Sequence, residues 1–132
     1  MDQIAIRLRP GQDLKREIDR LMENQGIKAA CILTCVGSLT RAVLRFANQE
    51  DSKELKGHFE IVSLTGVLSN EGSHCHIAIA DENGTTFGAH LMNGCTIYTT
   101  VEIVIGIIPD CSFLRTFDPQ TGYPELDIVY SK

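Results

Sequence analysis

Residues 73–92 read SHCHIAIADENGTTFGAHLM and predict two strands joined by a tight loop. On the first strand, His74 and His76 project from the same face, because side chains alternate between the two faces of a strand. A three-residue loop that ends at Gly84 in the left-handed conformation sets the register of the pair. Counting back from this loop places His76 directly opposite His90, with Cβ atoms about 4.5–5.5 Å apart.

The three imidazoles of His74, His76 and His90 on one sheet face predict a site for a divalent transition metal. Neutral imidazole suits zinc, iron, nickel and copper, and three histidines with an open position are typical of catalytic zinc, so zinc is the expected metal. The alternative is three unrelated histidines, since a loop longer by one residue would turn His90 to the other face. The apolar neighbours Ile77 and Ala89 indicate a buried strand pair, where an unpaired imidazole is costly, and this favours the metal.

Composition limits what the chain can do. Its 132 residues predict a single domain over 1–132, and no apolar run is long enough to span a bilayer. The five cysteines form no C-x-x-C pair, and the first residues have no signal-peptide character, which together predict the cytoplasm. The net charge of −5 and the pI near 5.3 argue against duplex DNA as a partner of this chain alone.

Hydrophobic periodicity predicts one helix and many strands. Asp13 is a predicted helix cap, apolar residues follow at helical spacing, and Gly26 ends the helix. A break is expected at Gly37-Ser38 and a polar loop over 47–56. The predicted strands are 4–8, 29–36, 41–46, 59–67, 73–80, 85–92, 96–108, 113–117 and 126–130. One helix packed on a mostly antiparallel sheet is an α+β domain.

Three charged residues outside the histidine triplet are weighed as functional groups. Glu60 precedes the histidine hairpin and is interpreted as a fourth ligand, a general base or a hydrogen-bond partner of an imidazole N–H. The alternative is a strand-edge carboxylate paired with Arg41 or Arg45. Arg41 is interpreted as the anchor of a small anionic ligand, with a structural ion pair as the alternative. Glu102 lies in a long apolar strand, where a subunit contact is the favoured interpretation.

Three segments resemble a known family in the right order: GHFEIVSLTG at 57–66, HCHIAIAD at 74–81 and GAHLMNGCTIYTTVEI at 88–103. The chain is similar to the plant-and-prokaryote conserved (PPC) domain over nearly its whole length. The resemblance implies an α+β homotrimer, a conserved histidine triplet, and prokaryotic members described as candidate DNA-binding proteins. His58 stands where the family has arginine, and the chain lacks the Arg-Gly-Arg core of the AT-hook that plant members carry.

Three functions follow as hypotheses. The first is a trimeric DNA-binding or regulatory module that acts with DNA or protein partners. The second is a metal-dependent lyase or hydrolase acting on a small oxo or hydroxy acid, resembling acetolactate decarboxylase in site layout, with Glu60 moving protons and Arg41 holding the acid. The third is a non-catalytic trimer that binds a metal or a small anionic ligand.

Overall fold

The structure is a computed structural model that describes residues 2–131. Within these residues one helix and eight strands form, and every strand pair is antiparallel, which confirms the α+β class. Six strands form one sheet in the order β1-β6-β2-β3-β4-β5, and β7 pairs with β8 separately. The elements are β1 (Asp2–Leu8), α1 (Leu14–Asn24), β2 (Ala30–Arg45), β3 (Lys53–Ser69), β4 (Gly72–Ala80), β5 (Thr86–Leu91), β6 (Thr96–Ile107), β7 (Cys111–Asp118) and β8 (Tyr123–Tyr130).

Helix α1 begins where the capping pattern predicts. The Asp13 carboxylate accepts a hydrogen bond from the Arg16 backbone N–H at 3.1 Å, which satisfies one of the free donors of the first turn. Its second oxygen accepts from the Gly94 N–H at 2.6 Å and so ties the helix to the turn before β6. The helix is too short and too polar to cross a membrane, and it is the only one in residues 2–131. Its apolar stripe is fully buried against the sheet: Leu14, Ile18 and Met22.

Strand β2 closes part of the sheet into a small barrel. Its central residues pair with β6 and β3, while its last two residues pair with β5, at Leu44↔Leu91 and Arg45↔His90. Strands β2, β3, β4 and β5 therefore form a closed ring. The predicted break at Gly37-Ser38 is wrong, because β2 continues through register shifts there instead of ending.

Two further differences from the sequence prediction concern β2 and β3. The predicted loop over 47–56 ends at Lys53, where β3 begins, because Val43↔Glu54 and Leu44↔Lys53 extend the ladder through a charged stretch. The strand predicted at 29–36 forms the first part of β2 and is only partly buried, with Val36 61% exposed.

The β7–β8 hairpin stands outside the main sheet but is anchored to it. Phe113 and Cys111 pack on Ala29 in a small second core, and the Phe113 N–H donates to the Lys28 carbonyl at 2.8 Å. The Arg115 N–H donates to the Glu71 carboxylate at 3.4 Å. These contacts hold the hairpin beside the start of β4.

Candidate metal centre

The β4–β5 hairpin has the register that the sequence predicts. His76 is paired with His90, and Gly84 in the connecting loop has a φ of 78°, the left-handed conformation that glycine adopts readily. Pairing continues on both sides, with Arg45 opposite His90 and Thr65 opposite His76. Because directly opposed residues in an antiparallel sheet share a face, these four side chains form one row across β2, β5, β4 and β3.

The three imidazoles are in mutual contact. The ring centroid of His74 lies 5.1 Å from that of His76 and 4.9 Å from that of His90, and the centroids of His76 and His90 are 5.5 Å apart. One nitrogen from each ring lies within 4.8 Å of the other two. Within the part of the chain that the structure describes, no carboxylate or thiol joins this group.

The two faces of β4 differ in exposure, which corrects the expectation of a strand pair buried on both sides. Cys75 is 1% exposed and points into the core, as alternation predicts, while His74 and His76 are exposed and His90 is half-buried. Burial raises the pKa of the Cys75 thiol to about 11, so the thiol stays protonated at neutral pH. The core therefore fixes the backbone of the strand, and the outer face presents the imidazoles.

Loss of water and nearby positive charge keep two of these rings neutral. The pKa of His90 is lowered to about 4, first by the protein atoms that exclude water from it and then by His74 and Arg45. The pKa of His74 is lowered as well, by the same loss of water and then by the Arg115 guanidinium. Since a metal binds neutral imidazole, protons compete with it at His90 only when the pH falls toward 4.

The donor set fits one divalent transition ion. Bonds of about 2.0–2.1 Å at tetrahedral angles separate two ligand nitrogens by about 3.4 Å. Starting from separations within 4.8 Å, the nitrogens of His74, His76 and His90 need to approach one another by at most about 1.4 Å. Rotation of exposed imidazoles can supply this movement without shifting the backbone. Three imidazoles of borderline softness match zinc and its neighbours better than magnesium or calcium, which prefer oxygen.

The other sequence-predicted residues lie away from the triplet. Glu60 is opposite Ala80, four residues from His76 on β4, or about 13 Å along the strand. Arg41 pairs with Glu54 at 3.1 Å and donates to the Gly94 carbonyl at 3.2 Å. The structure therefore does not bring Glu60 or Arg41 together with the imidazoles, and Arg41 makes the structural ion pair that was its alternative interpretation.

The remaining two polar residues that the sequence singles out are also distant from the centre. His58 is exposed, as expected, and its ring lies 3.3 Å from the Glu82 carboxylate and 4.7 Å, centroid to centroid, from Tyr98. Glu102 is exposed and accepts a hydrogen bond from the Thr100 hydroxyl at 3.2 Å. His58 thus provides a fourth histidine that does not belong to the triplet.

Sequence reasoning missed the residues that surround the imidazoles. A cavity of about 900 Å³ is lined by His76 and His90 together with Arg45, and a second of about 530 Å³ is lined by His74, His90 and Arg45. Tyr123 borders both cavities, and Arg115 borders the second. Arg45 could have been found only through the β2–β5 pairing, and Tyr123 and Arg115 only through the position of the β7–β8 hairpin, neither of which has a local sequence signal.

Comparison with known proteins confirms the resemblance. A family model of the Plants and Prokaryotes Conserved (PCC) domain matches residues 1–109. A bifunctional protein GlmU of Synechococcus sp. is 48% identical over 123 residues, which are 93% of this chain and 20% of that protein. The chain thus spans about a fifth of the length of this curated relative, and the likeness concerns that segment alone.

Solved structures share the fold. A hypothetical protein of Salmonella enterica is 41% identical, with a TM-score of 0.95 over 98% of this chain and 94% of its own. A metal-containing protein of Archaeoglobus fulgidus is 29% identical, with a TM-score of 0.80 over 96% and 94%. A candidate DNA-binding protein of Bacteroides thetaiotaomicron is 23% identical, with a TM-score of 0.83 over 95% and 91%, and this likeness extends to the fold only.

Proposed function

Because the chain belongs to the Plants and Prokaryotes Conserved domain family, we propose that this PCC domain, which we take to extend over residues 1–132, holds one divalent transition metal, zinc being the expected ion, on His74, His76 and His90. The observation that carries the proposal is the mutual proximity of three imidazole nitrogens, all within 4.8 Å, at the border of an open cavity. When bound, such an ion acts as a Lewis acid toward a ligand in its open position.

Two further facts support a metal over three unrelated histidines. The lowered pKa values of His74 and His90 keep these rings in the neutral form that a metal requires. The Archaeoglobus relative of the same fold is described as metal-containing. Without an ion, the clustering of three imidazoles, two of them beside guanidinium groups, would have no structural explanation.

Metal content per chain tests the proposal. Protein purified without an affinity tag or chelator is expected to carry about one transition-metal ion per chain, measured by plasma mass spectrometry. His58→Ala is the matched control, because His58 is the one histidine outside the triplet, and it should keep the ion. His74→Ala should lose it. Equal metal in His74→Ala and His58→Ala, or none in the wild type after incubation with zinc, would contradict the proposal.

Duplex DNA is the less favoured partner. The Bacteroides protein of similar fold is described as a candidate for DNA binding, but the net charge of −5 opposes the phosphate contacts that supply most of such affinity. A basic surface would have to arise from assembly or from a protein partner. As the compartment we propose the cytoplasm, since all five cysteines are free thiols.

We further propose that the chain assembles as a homotrimer. Strand β8 pairs only with β7 in residues 2–131, so its outer edge is open. Its apolar side chains are exposed, including Ile128 at 45%, Val129 at 46% and Tyr130 at 74%. An open apolar edge is a surface that soluble proteins normally cover.

Sedimentation equilibrium checks the assembly. The expected mass is three times the 14.6 kDa of one chain. Charged substitutions at the open edge, Ile128→Asp with Tyr130→Asp, should shift the equilibrium toward the monomer, whereas Glu125→Gln should not. A wild-type protein that sediments as a monomer at micromolar concentration would refute the trimer.

A further inference from the structure

Two cavities meet at a single arginine beside the imidazole triplet. Arg45 is the last residue of β2 and lies opposite His90 on the adjoining strand, about 4.7–4.9 Å away across the ladder. It lines the cavity of about 900 Å³ and the cavity of about 530 Å³, as do His90 and Tyr123. A ligand bound at the centre in either of these cavities therefore has Arg45 in its surroundings.

The guanidinium of Arg45 has no structural partner that would occupy it. In residues 2–131, each ion pair within 4.0 Å involves other groups, and Arg45 is in none of them. Arg41, four residues earlier on the same strand, is in contrast held by Glu54. An arginine that is half-buried and unpaired beside a ligand-sized cavity has its donors available for a bound anion.

Three carboxylates and two guanidinium groups line the two cavities beside the triplet. Glu50 lines the larger cavity, and Glu71 and Glu125 line the smaller one. Against these stand Arg45 in both cavities, Arg115 in the smaller one, and the two positive charges of the proposed ion. The side chains alone do not make the cavities positive, so the positive charge at the triplet comes from the proposed ion, while Arg45 supplies a guanidinium that no carboxylate of the described residues pairs with.

We propose that the centre binds a small carboxylic acid that carries an oxygen on the carbon next to the carboxylate, that is, a 2-hydroxy or 2-oxo acid. Arg45 holds the carboxylate, and the oxygens of the acid face the metal. A guanidinium presents two parallel donors that match a carboxylate, and a divalent ion accepts an adjacent pair of oxygens. This inference rests on the proposed metal centre and assigns its ligand class and its anion anchor.

Part of the lining of the site comes from outside the part that the family model matches. Arg115 and Tyr123 belong to the β7–β8 hairpin, beyond residues 1–109. The hydrogen bond from the Arg115 backbone to Glu71 holds the hairpin over the first residues of β4. Tyr123 and Arg115 therefore contribute to the lining of the site from a part of the chain that the family model does not match.

Titration of the cobalt(II)-loaded protein with glycolate tests the anchor through the visible absorption of the ion. Glycolamide is the matched probe, since it has the same shape without the charge. Wild-type protein should bind glycolate at least tenfold more tightly than glycolamide. Arg45→Gln should weaken glycolate by about 10- to 100-fold, as loss of charge-assisted hydrogen bonds predicts, and should leave glycolamide within about twofold.

Arg41→Gln is the matched control on the same strand and should change neither probe, while Arg45→Gln should keep one metal per chain. Glycolate affinity that is equal in Arg45→Gln and wild type, or equally reduced in Arg41→Gln, overturns the anchor and leaves the metal centre intact. Equal affinity of wild-type protein for glycolate and glycolamide overturns the ligand class. A wild-type protein that takes up no metal overturns the metal centre, and this inference with it.

Discussion

Alanine at His76 is expected to raise the dissociation constant for zinc by at least about 100-fold. Loss of a group that merely orients a metal ligand costs about 10- to 100-fold in affinity, so loss of a ligand itself should cost at least the upper end of that range. The His76 ring forms one corner of the triangle of imidazoles, at 5.1 Å from His74 and 5.5 Å from His90. No carboxylate or thiol in residues 2–131 is grouped with them to replace the missing nitrogen.

The competing interpretation of Glu60 is decided in the same titration. If Glu60 were a fourth ligand, Glu60→Gln would weaken binding about as much as His76→Ala. Its position opposite Ala80, about 13 Å along the strand from His76, predicts an unchanged affinity instead. Competition with a chromophoric chelator measures both variants against wild type. Tight binding by His76→Ala, or weak binding by Glu60→Gln, would refute the ligand set proposed here.

The two variants also test whether loss of metal is merely loss of fold. His76 and Glu60 are both exposed on strands, so neither substitution opens a cavity in the core. Metal-free His76→Ala should therefore unfold at a temperature within a few degrees of metal-free wild type. Far-UV circular dichroism with and without the ion separates a damaged site from a damaged fold.

The elements that the sequence predicted well are those with local signals. The Asp13 cap and the register of His76 with His90 each depend on residues close along the chain, and a tight loop leaves little choice of pairing. The same locality explains why Cys75 could be assigned to the core face. Each of these patterns is contained in one short stretch of the sequence.

The parts that could not be predicted depend on contacts between distant residues. Arg41 and Arg45 look alike in the sequence, and only the closure of β2 onto β5 puts Arg45 opposite His90. Likewise, the sequence predicts strands at 113–117 and 126–130, but not that Tyr123 borders the cavities next to the imidazoles. Glu60 is a similar case, since it pairs with β4 but opposite Ala80, four residues along the strand from His76.

Removal of the metal is expected to lower the unfolding temperature by about 10–20 °C. A ligand present at 1,000 times its dissociation constant stabilises the folded state by about 4 kcal/mol, and each kcal/mol shifts a domain of this size by about 3–5 °C. The unfolded chain separates His90 from His74 and His76, so it offers no comparable site. Calorimetry at pH 7.5 and one fixed protein concentration, with zinc and then with a chelator, measures the shift.

The matched variant for this experiment is His90→Ala. Metal-free His90→Ala should resemble metal-free wild type, and zinc should no longer raise its unfolding temperature, whereas zinc should raise that of His58→Ala as in wild type.

The pH of 7.5 is chosen because the pKa of His90 is lowered to about 4 and that of His74 is lowered too, so both rings are neutral and protons do not oppose the ion. As the pH falls through the lowered pKa of His90, that ring becomes protonated and the stabilisation by zinc should disappear. An unfolding temperature that is independent of zinc at pH 7.5, or a shift of equal size in His90→Ala, would show that the triplet does not hold the ion.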